Sequence, residues 1–190
     1  MSTIQIFGFS PSTFTQTAVA VAKETAGTVE LAPLEFKQAS HLERHPYGKM
    51  PALQEGDVRL YETAAIIHYL DEAHGDKRLT PATAPERARM WQWISVGIDY
   101  AYPTLVGALH DDEPGSEAVA AAAEQLKLLD VGLDRGPYFA GKKISLADFV
   151  LYPMVAFAVD KLGSPQLGGL ARLRPWFEAM AKRRSFGEAA

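Results

Sequence analysis

The chain lacks cysteine entirely, with none among its 190 residues. Structural disulfides and zinc sites built from cysteine are therefore excluded. Every mechanism in which a thiol of the protein acts as the nucleophile is excluded as well. Chemistry at this chain has to use side chains other than thiols.

Excess positive charge and long hydrophobic runs are also missing. With 19 Lys and Arg against 23 Asp and Glu the net charge is −4, which argues against a nucleic-acid partner. The longest apolar run, residues 149–159, is interrupted by Pro153 and is far shorter than the ~20 residues of a membrane-spanning helix. No basic residue precedes Lys23, so the N-terminus lacks the pattern of a secretory signal. We expect a cytoplasmic globular protein without membrane contact.

The N-terminal part has the pattern of a strand, a helix and a second strand. Residues 3–7 alternate in polarity, residues 14–25 are rich in Ala and Val, and residues 29–34 form another short apolar run. A strand–helix–strand unit of this length pairs its two strands in parallel. The chain is therefore expected to begin as an α/β domain.

A hairpin and a change of composition follow. Residues 51–53 and 58–61 predict a β-hairpin, and residues 63–74 predict a helix that closes the unit. The Gly- and Pro-containing stretch 76–85 predicts a linker between a first domain, 1–75, and a second, 86–190. In the second domain only helical patterns recur, over residues 86–109, 117–133, 145–162 and 173–184.

The first place that could carry chemistry is the end of the first strand. Ser10, Ser12 and Thr13 lie where a strand's carboxyl end meets a helix N-terminus, whose N–H groups and dipole favour an anion. A hydroxyl there can donate a hydrogen bond to a ligand thiolate and lower its pKa. The alternative is that Ser12 only caps the helix.

Two further segments precede the hairpin and the third helix. A cis bond before Pro51 would turn the backbone N–H and C=O of Met50 toward a ligand, although X–Pro bonds are far more often trans. Glu62 and Thr63 could hold the ammonium and carboxylate of an amino-acid-like ligand, or act only as ordinary helix-start residues, with Thr63 as the cap.

A fourth motif has a structural interpretation. Ser145 and Asp148 have the spacing of a capping box at the start of the helix 145–162, with Ile144 and Phe149 as a hydrophobic staple. This motif predicts a buried helix start and no chemistry.

Together these motifs resemble the cytosolic glutathione S-transferase family over essentially the whole chain. The resemblance rests on Ile6–Phe7–Gly8 with Ser12 and Thr15, on the segment 46–53, on Tyr61–Glu62–Thr63–Ala64–Ala65–Ile66, and on the capping box. It is nearest to serine-type classes such as phi. It implies a thioredoxin-like N-terminal domain, a C-terminal helical bundle, and glutathione as co-substrate without a metal.

The resemblance also implies a role for each matching residue. Ser12 supports the glutathione thiolate, with Ser10 or Thr13 as substitutes. Met50 and Pro51 pair with the cysteinyl part, while Glu62 and Thr63 hold the γ-glutamyl end. Tyr47 wedges into a second copy of the chain in a homodimer. The remaining candidates are Lys37, His41 and Lys49 for the glycyl carboxylate, and Phe9, Trp93, Tyr100 and Tyr102 for the pocket of a small hydrophobic electrophile.

Two functions are compatible with these residues. One is a glutathione transferase, and the other is a binding or interaction module that keeps the fold without turnover. The aromatic residues Trp93, Tyr100 and Tyr102 could equally belong to the core of the bundle. Three positions depart from the family pattern: His45 replaces the usual Asn, Thr63 the commoner Ser, and Gln16 an Arg. A thiol–disulfide oxidoreductase is excluded by the missing cysteine.

Overall fold

The computed structural model describes residues 3–187. The chain divides into two compact units, Met1–Arg78 and Leu79–Ala190. The division falls within the stretch 76–85 that the sequence predicts as a linker. The first helix of the second unit begins at Ala84 rather than at Glu86.

The N-terminal unit is built on a mixed four-stranded sheet. Its strands are β1 (Gln5–Phe7), β2 (Glu30–Ala32), β3 (Ala52–Glu55) and β4 (Val58–Tyr61), in the order β2-β1-β3-β4. The β1–β2 pair is parallel, and β3 pairs with β1 and β4 in antiparallel fashion. These pairings confirm the strand–helix–strand unit and the hairpin that the sequence predicts.

Two long helices, α1 (Thr13–Thr25) and α3 (Thr63–His74), pack against each other in this unit. Their apolar faces are completely buried, as shown by Val21 and Ile66, and Ile6 of β1 is buried as well. The short helix α2 (Ala39–Arg44) was not predicted. It has six residues and buries only His41, so hydrophobic periodicity could not reveal it.

Polar contacts fix the far ends of β3 and α3. The Glu55 carboxylate accepts hydrogen bonds from Tyr69 Oη at 2.9 Å and from His74 Nε2 at 2.8 Å. Burial, together with the Glu55 contact, raises the pKa of the Tyr69 hydroxyl. Because α3 is held in this way at its C-terminal end, its N-terminus at Thr63 keeps a defined place beside the sheet.

The regular elements of the C-terminal unit, over its described residues, are all helices, as predicted. Its elements are α4 (Ala84–Val96), a π-helix (Gly97–Gly107), α5 (Ser116–Gly132), α6 (Leu146–Leu162), a 3₁₀ turn (Ser164–Leu167) and α7 (Leu173–Ala181). The helix predicted over 86–109 is confirmed, but its second half is a π-helix rather than an α-helix. Pro103 has no N–H for the bond that an α-helix makes four residues back. The chain instead uses the wider repeat, in which Ala108 N–H donates to Pro103 C=O at 2.8 Å.

The capping box is confirmed, and its carboxylate does more than cap. Asp148 is wholly buried and accepts from Ser145 N–H at 2.8 Å and from Ser145 Oγ–H at 2.9 Å. It also accepts from Phe139 N–H at 3.1 Å and from Trp176 Nε1–H at 2.9 Å. Burial raises the pKa of Asp148 to about 6, and the hydrogen bonds oppose that rise. One carboxylate thus joins the start of α6, the loop before it and α7.

Candidate functional site

The junction of β1 and α1 presents one accessible hydroxyl at a helix N-terminus. Ser12 is the N-cap of α1, and its Oγ accepts the Thr15 N–H at 3.3 Å. Ser12 therefore caps α1. The cap uses the hydroxyl oxygen as an acceptor, and in the described part of the chain its hydrogen has no protein acceptor. Because the side chain is half-buried, that hydrogen can still be donated to a ligand.

The two alternative hydroxyls lie in different surroundings. Ser10 is exposed, and its carbonyl accepts the Gln16 Nε2–H at 2.9 Å. Thr13 is only 3% exposed, and its hydroxyl has no hydrogen-bond partner among the described residues. Ser12 is thus the one of the three that combines access to solvent with the N-cap position of α1.

Gly8, at the end of β1, packs closely against the first turn of α1, next to the Ser12 hydroxyl. A Cβ atom added to Gly8 would lie 2.4 Å from Thr15 Oγ1, which is closer than real Cβ contacts come. The end of β1 therefore rests directly on the first turn of α1. The turn is closed by the Ser12 N–H, which donates to Phe9 C=O at 3.0 Å.

The segment before β3 has the backbone form that the resemblance implies. The Met50–Pro51 bond is cis. Met50 packs on a small core of Phe7, Ala32, Leu34 and Ala52. Because β3 begins only at Ala52, the N–H and C=O of Met50 lie outside its ladder and can pair with a ligand backbone.

The start of α3 exposes a carboxylate. Glu62 has φ 70° and precedes the helix as its N-cap, yet no side chain caps this helix. The interpretation of Thr63 as the cap is therefore wrong, because Thr63 is the first helical residue, 7% exposed. The Glu62 side chain is 64% exposed, which leaves its carboxylate accessible to a ligand cation.

His41 connects the loop at Lys37 with the loop at Lys49 through hydrogen bonds. Its Nδ1 accepts the Lys37 N–H at 2.9 Å, so its Nε2 carries the hydrogen and donates to Lys49 C=O at 2.7 Å. The ring is 1% exposed and has no nitrogen left for a carboxylate. We therefore correct its expected role from a direct contact to a positioning residue. Lys37 and Lys49 themselves are exposed.

Comparisons with known proteins agree with this geometry. Residues 2–72 match the family model for the glutathione S-transferase N-terminal domain, and residues 112–179 match the one for the glutathione S-transferase C-terminal domain. Glutathione S-transferase 3 of Zea mays is 31% identical over 98% of this chain and 92% of its own length. The chain belongs to the glutathione S-transferase family. Its activity is glutathione transfer.

Other relatives of this transferase extend the comparison. Glutathione S-transferase F10 of Arabidopsis thaliana is 26% identical over 85% of this chain and 82% of its own. A class Gtt2 glutathione S-transferase of Vibrio parahaemolyticus has a TM-score of 0.82 at 26% identity, with 97% of this chain and 96% of the other covered. Poplar glutathione transferase F1 has a TM-score of 0.86, covering 98% and 95%, and at 21% identity shows the fold alone.

One predicted electrophile contact of the transferase is wrong. Trp93 is 8% exposed, its ring centroid lies 4.8 Å from that of Phe139, and Gly132 leaves room for it. Trp93 therefore belongs to the core of the C-terminal unit, as the alternative interpretation held. Tyr100 in the same unit is 64% exposed and Tyr102 is half-buried, so both can reach a ligand.

On the N-terminal unit two groups of aromatic residues are exposed. Phe9 is 41% exposed, with its ring centroid 6.1 Å from that of Phe36. Tyr47 is 74% exposed, and its ring meets that of Tyr61 at 6.3 Å. The first group borders the β1–α1 junction of the transferase, and the second borders Glu62.

Neither a metal centre nor a membrane span was found in the residues that the structure covers. Over 3–187 no group of three or more His, Asp or Glu side chains is arranged to hold a metal ion. None of the helices in that range is long and apolar enough to cross a bilayer.

Proposed function

We propose that the N-terminal unit binds reduced glutathione and that Ser12 stabilises its thiolate for attack on a small hydrophobic electrophile. The observation that carries this proposal is the half-buried Ser12 hydroxyl at the N-terminus of α1, with its hydrogen available for donation. A hydrogen bond to the charged form of a thiol, together with the positive end of a helix dipole, lowers the thiol pKa. A free thiol has a pKa of ~8.5 and is only a few per cent ionised at pH 7.

The transfer step follows from that ionisation. The thiol proton passes to solvent, and the thiolate sulfur forms a bond to the electrophilic carbon. The carbon's bond to its leaving group breaks, and the leaving group departs with the electron pair. Phe9, which follows β1 in the N-terminal unit, is the proposed electrophile contact there, supported by the family resemblance and by its accessible ring.

The other groups hold the peptide. Met50 pairs its backbone with the cysteinyl residue, and Glu62 with Thr63 receives the γ-glutamyl end. Lys49 and Lys37, which His41 positions, meet the glycyl carboxylate. We place the protein in the cytoplasm, where glutathione is kept reduced.

An ultraviolet titration tests the proposed function without knowledge of the second substrate. Thiolate absorbance of bound glutathione is followed between pH 5 and pH 10 and compared with that of free glutathione. A thiol pKa lowered by one unit or more is expected. Binding with an unshifted pKa would instead indicate a binding module without turnover.

Replacing Glu62 with Gln is expected to raise KM for glutathione about tenfold and to change kcat little. The substitution keeps the shape but removes the negative charge that receives the γ-glutamyl ammonium. Initial rates measured against glutathione concentration check this expectation. Glu43→Gln, at an exposed carboxylate of α2, serves as the matched control and should leave KM unchanged. Equal KM in the wild type and Glu62→Gln would contradict the assignment.

Tyr47 is proposed to wedge into a second copy of the chain. Replacing it with Ser is expected to raise the Kd of the homodimer about 30-fold, the size of an interface hot spot. Sedimentation velocity over a concentration series measures this shift. Tyr100→Ser removes a similarly exposed ring from the C-terminal unit and should leave the dimer intact. A wild-type protein that is monomeric at every concentration would contradict the proposal.

A further inference from the structure

A buried histidine lies directly behind the proposed ammonium-binding carboxylate. His45 follows α2 and is 2% exposed. Its Nε2 lies 4.0 Å from Glu62 Oε1, whereas its Nδ1 is buried without a hydrogen-bond partner among the described residues. A buried imidazole nitrogen without a hydrogen-bond partner is uncommon in a protein interior. In the family pattern this position usually holds Asn.

The His45 ring is held in place by backbone and by aromatic rings. The backbone N–H of His45 donates to His41 C=O at 2.8 Å, and the backbone C=O of His45 accepts the Gly48 N–H at 2.8 Å. The Tyr61 ring lies 5.0 Å away between centroids, and the Tyr47 ring lies 6.4 Å away, edge-on. The buried His45 ring therefore lies beside both tyrosine rings.

The charges that face this imidazole have opposite effects on its protonation. Burial is the largest influence and lowers the pKa of His45, the Glu62 carboxylate raises it, and His41 and Lys49 lower it. The neighbouring Arg44 places its guanidinium over the Phe7 ring, 4.2 Å from the centroid. Because the lowering influences prevail, the ring is neutral at pH 7, and the charge of Glu62 is left for a ligand.

We propose that His45 is a positioning residue that makes glutathione binding sensitive to pH through Glu62. The neutral ring supports the Glu62 carboxylate from behind without neutralising it. The protonated ring pairs with that carboxylate and repels the γ-glutamyl ammonium on its other side. The inference rests on the proposed function, since it needs Glu62 to receive that ammonium.

Reciprocal linkage gives the size and the sign of the effect. A ligand ammonium at Glu62 disfavours the protonated His45, so protonated His45 must disfavour the ligand by the same factor. We expect the Kd for the ligand to rise about three- to tenfold between pH 7 and pH 5. The dependence is lost when either His45 or Glu62 cannot carry its charge.

The experiment uses S-methylglutathione as the probe, because its sulfur does not titrate. Between pH 5 and pH 7 its amino group and both carboxylates also stay charged. Isothermal titration calorimetry gives Kd at each pH for the wild type, His45→Asn and Glu62→Gln. His110→Asn, which removes an exposed histidine of the C-terminal unit, is the matched control. The wild type and the control should show the rise, and the other two variants a flat profile.

Each other outcome has a distinct meaning. A wild-type profile that is flat, or a rise that survives in His45→Asn, would overturn the role of His45 and leave the proposed function intact. Failure of the wild type to bind the probe at any pH would reject the proposed function, and this inference with it.

A second readout needs no variant to fold. In the wild type the His45 ring resonance, assigned through contacts with the Tyr61 ring, is titrated with and without saturating S-methylglutathione. A lower His45 pKa is expected in the complex, and the difference between the two pKa values should equal the logarithm of the factor by which protonation of His45 raises Kd. An equal pKa in the two states would overturn the proposal.

Discussion

Replacing Ser12 with Ala is expected to lower kcat/KM for conjugation about 10- to 100-fold near pH 7, with glutathione still bound. The hydroxyl donates to the charged form of the thiol, and its loss lets the thiol pKa rise toward the free value. Each unit of rise lowers the thiolate fraction by up to tenfold. The helix dipole of α1 remains, so part of the pKa lowering survives.

The pKa of bound glutathione, read from thiolate absorbance, measures this effect independently of the electrophile. Ser10→Ala is the matched control, since Ser10 is exposed and contributes only its carbonyl, to Gln16. Ser12→Ala also removes a helix cap at a cost of about 1 kcal/mol, so chemical denaturation should confirm that the variant is folded during assay. Unchanged ionisation in Ser12→Ala with loss in Ser10→Ala would move the role to Ser10.

Replacing Asp148 with Ala is expected to lower the free energy of unfolding of the C-terminal unit by about 3–5 kcal/mol. The change leaves the N–H groups of Phe139 and Ser145 and the indole N–H of Trp176 buried without their acceptor. Denaturation followed by tryptophan fluorescence measures it, because all three Trp residues of the chain lie after Leu79. Ser145→Ala removes one of the four donors and should cost only about 1 kcal/mol. Equal losses in the two variants would show that the carboxylate does not join these elements.

The same carboxylate makes stability depend on pH. Its pKa of about 6 in the folded chain lies above the ordinary 3.8, so the folded state binds this proton more tightly than the unfolded state does. The contribution of Asp148 is therefore greatest below pH 4, declines as the pH rises to about 6, and then levels off, a difference of about 3 kcal/mol. The difference in unfolding free energy between wild type and Asp148→Asn, measured from pH 4 to pH 7, isolates this decline from other carboxylates. A difference that is constant with pH would contradict it.

Local sequence patterns predicted those parts of the fold that depend on hydrophobic periodicity or on the spacing of a few neighbouring residues. The helix over 63–74, the hairpin and the capping box of Ser145 with Asp148 each follow from periodicity or spacing, and the structure has all three. The π-helix could not be predicted in the same way. Its wider hydrogen-bond repeat, with Ala108 N–H donating to Pro103 C=O, lies within a longer helical pattern, and hydrophobic periodicity does not distinguish it from an α-helix.

The site was predicted less completely than the fold, because its contacts join residues that are distant in sequence. The resemblance implied the cis bond before Pro51. No local pattern indicated that both ring nitrogens of His41 form hydrogen bonds with the backbone of Lys37 and Lys49. Trp93, in contrast, was expected at the site and lies in the core. Its aromatic side chain suited a ligand pocket, and only the packing of Phe139 and Gly132 against it assigns it to the core.

The contact between Gly8 and Thr15 determines where the site can be redesigned. With 2.4 Å between an added Cβ and Thr15 Oγ1, position 8 accepts no larger residue unless position 15 shrinks at the same time. These two positions therefore form a pair that has to be varied together in any library. Ser10 and Pro11, both exposed, can be varied singly.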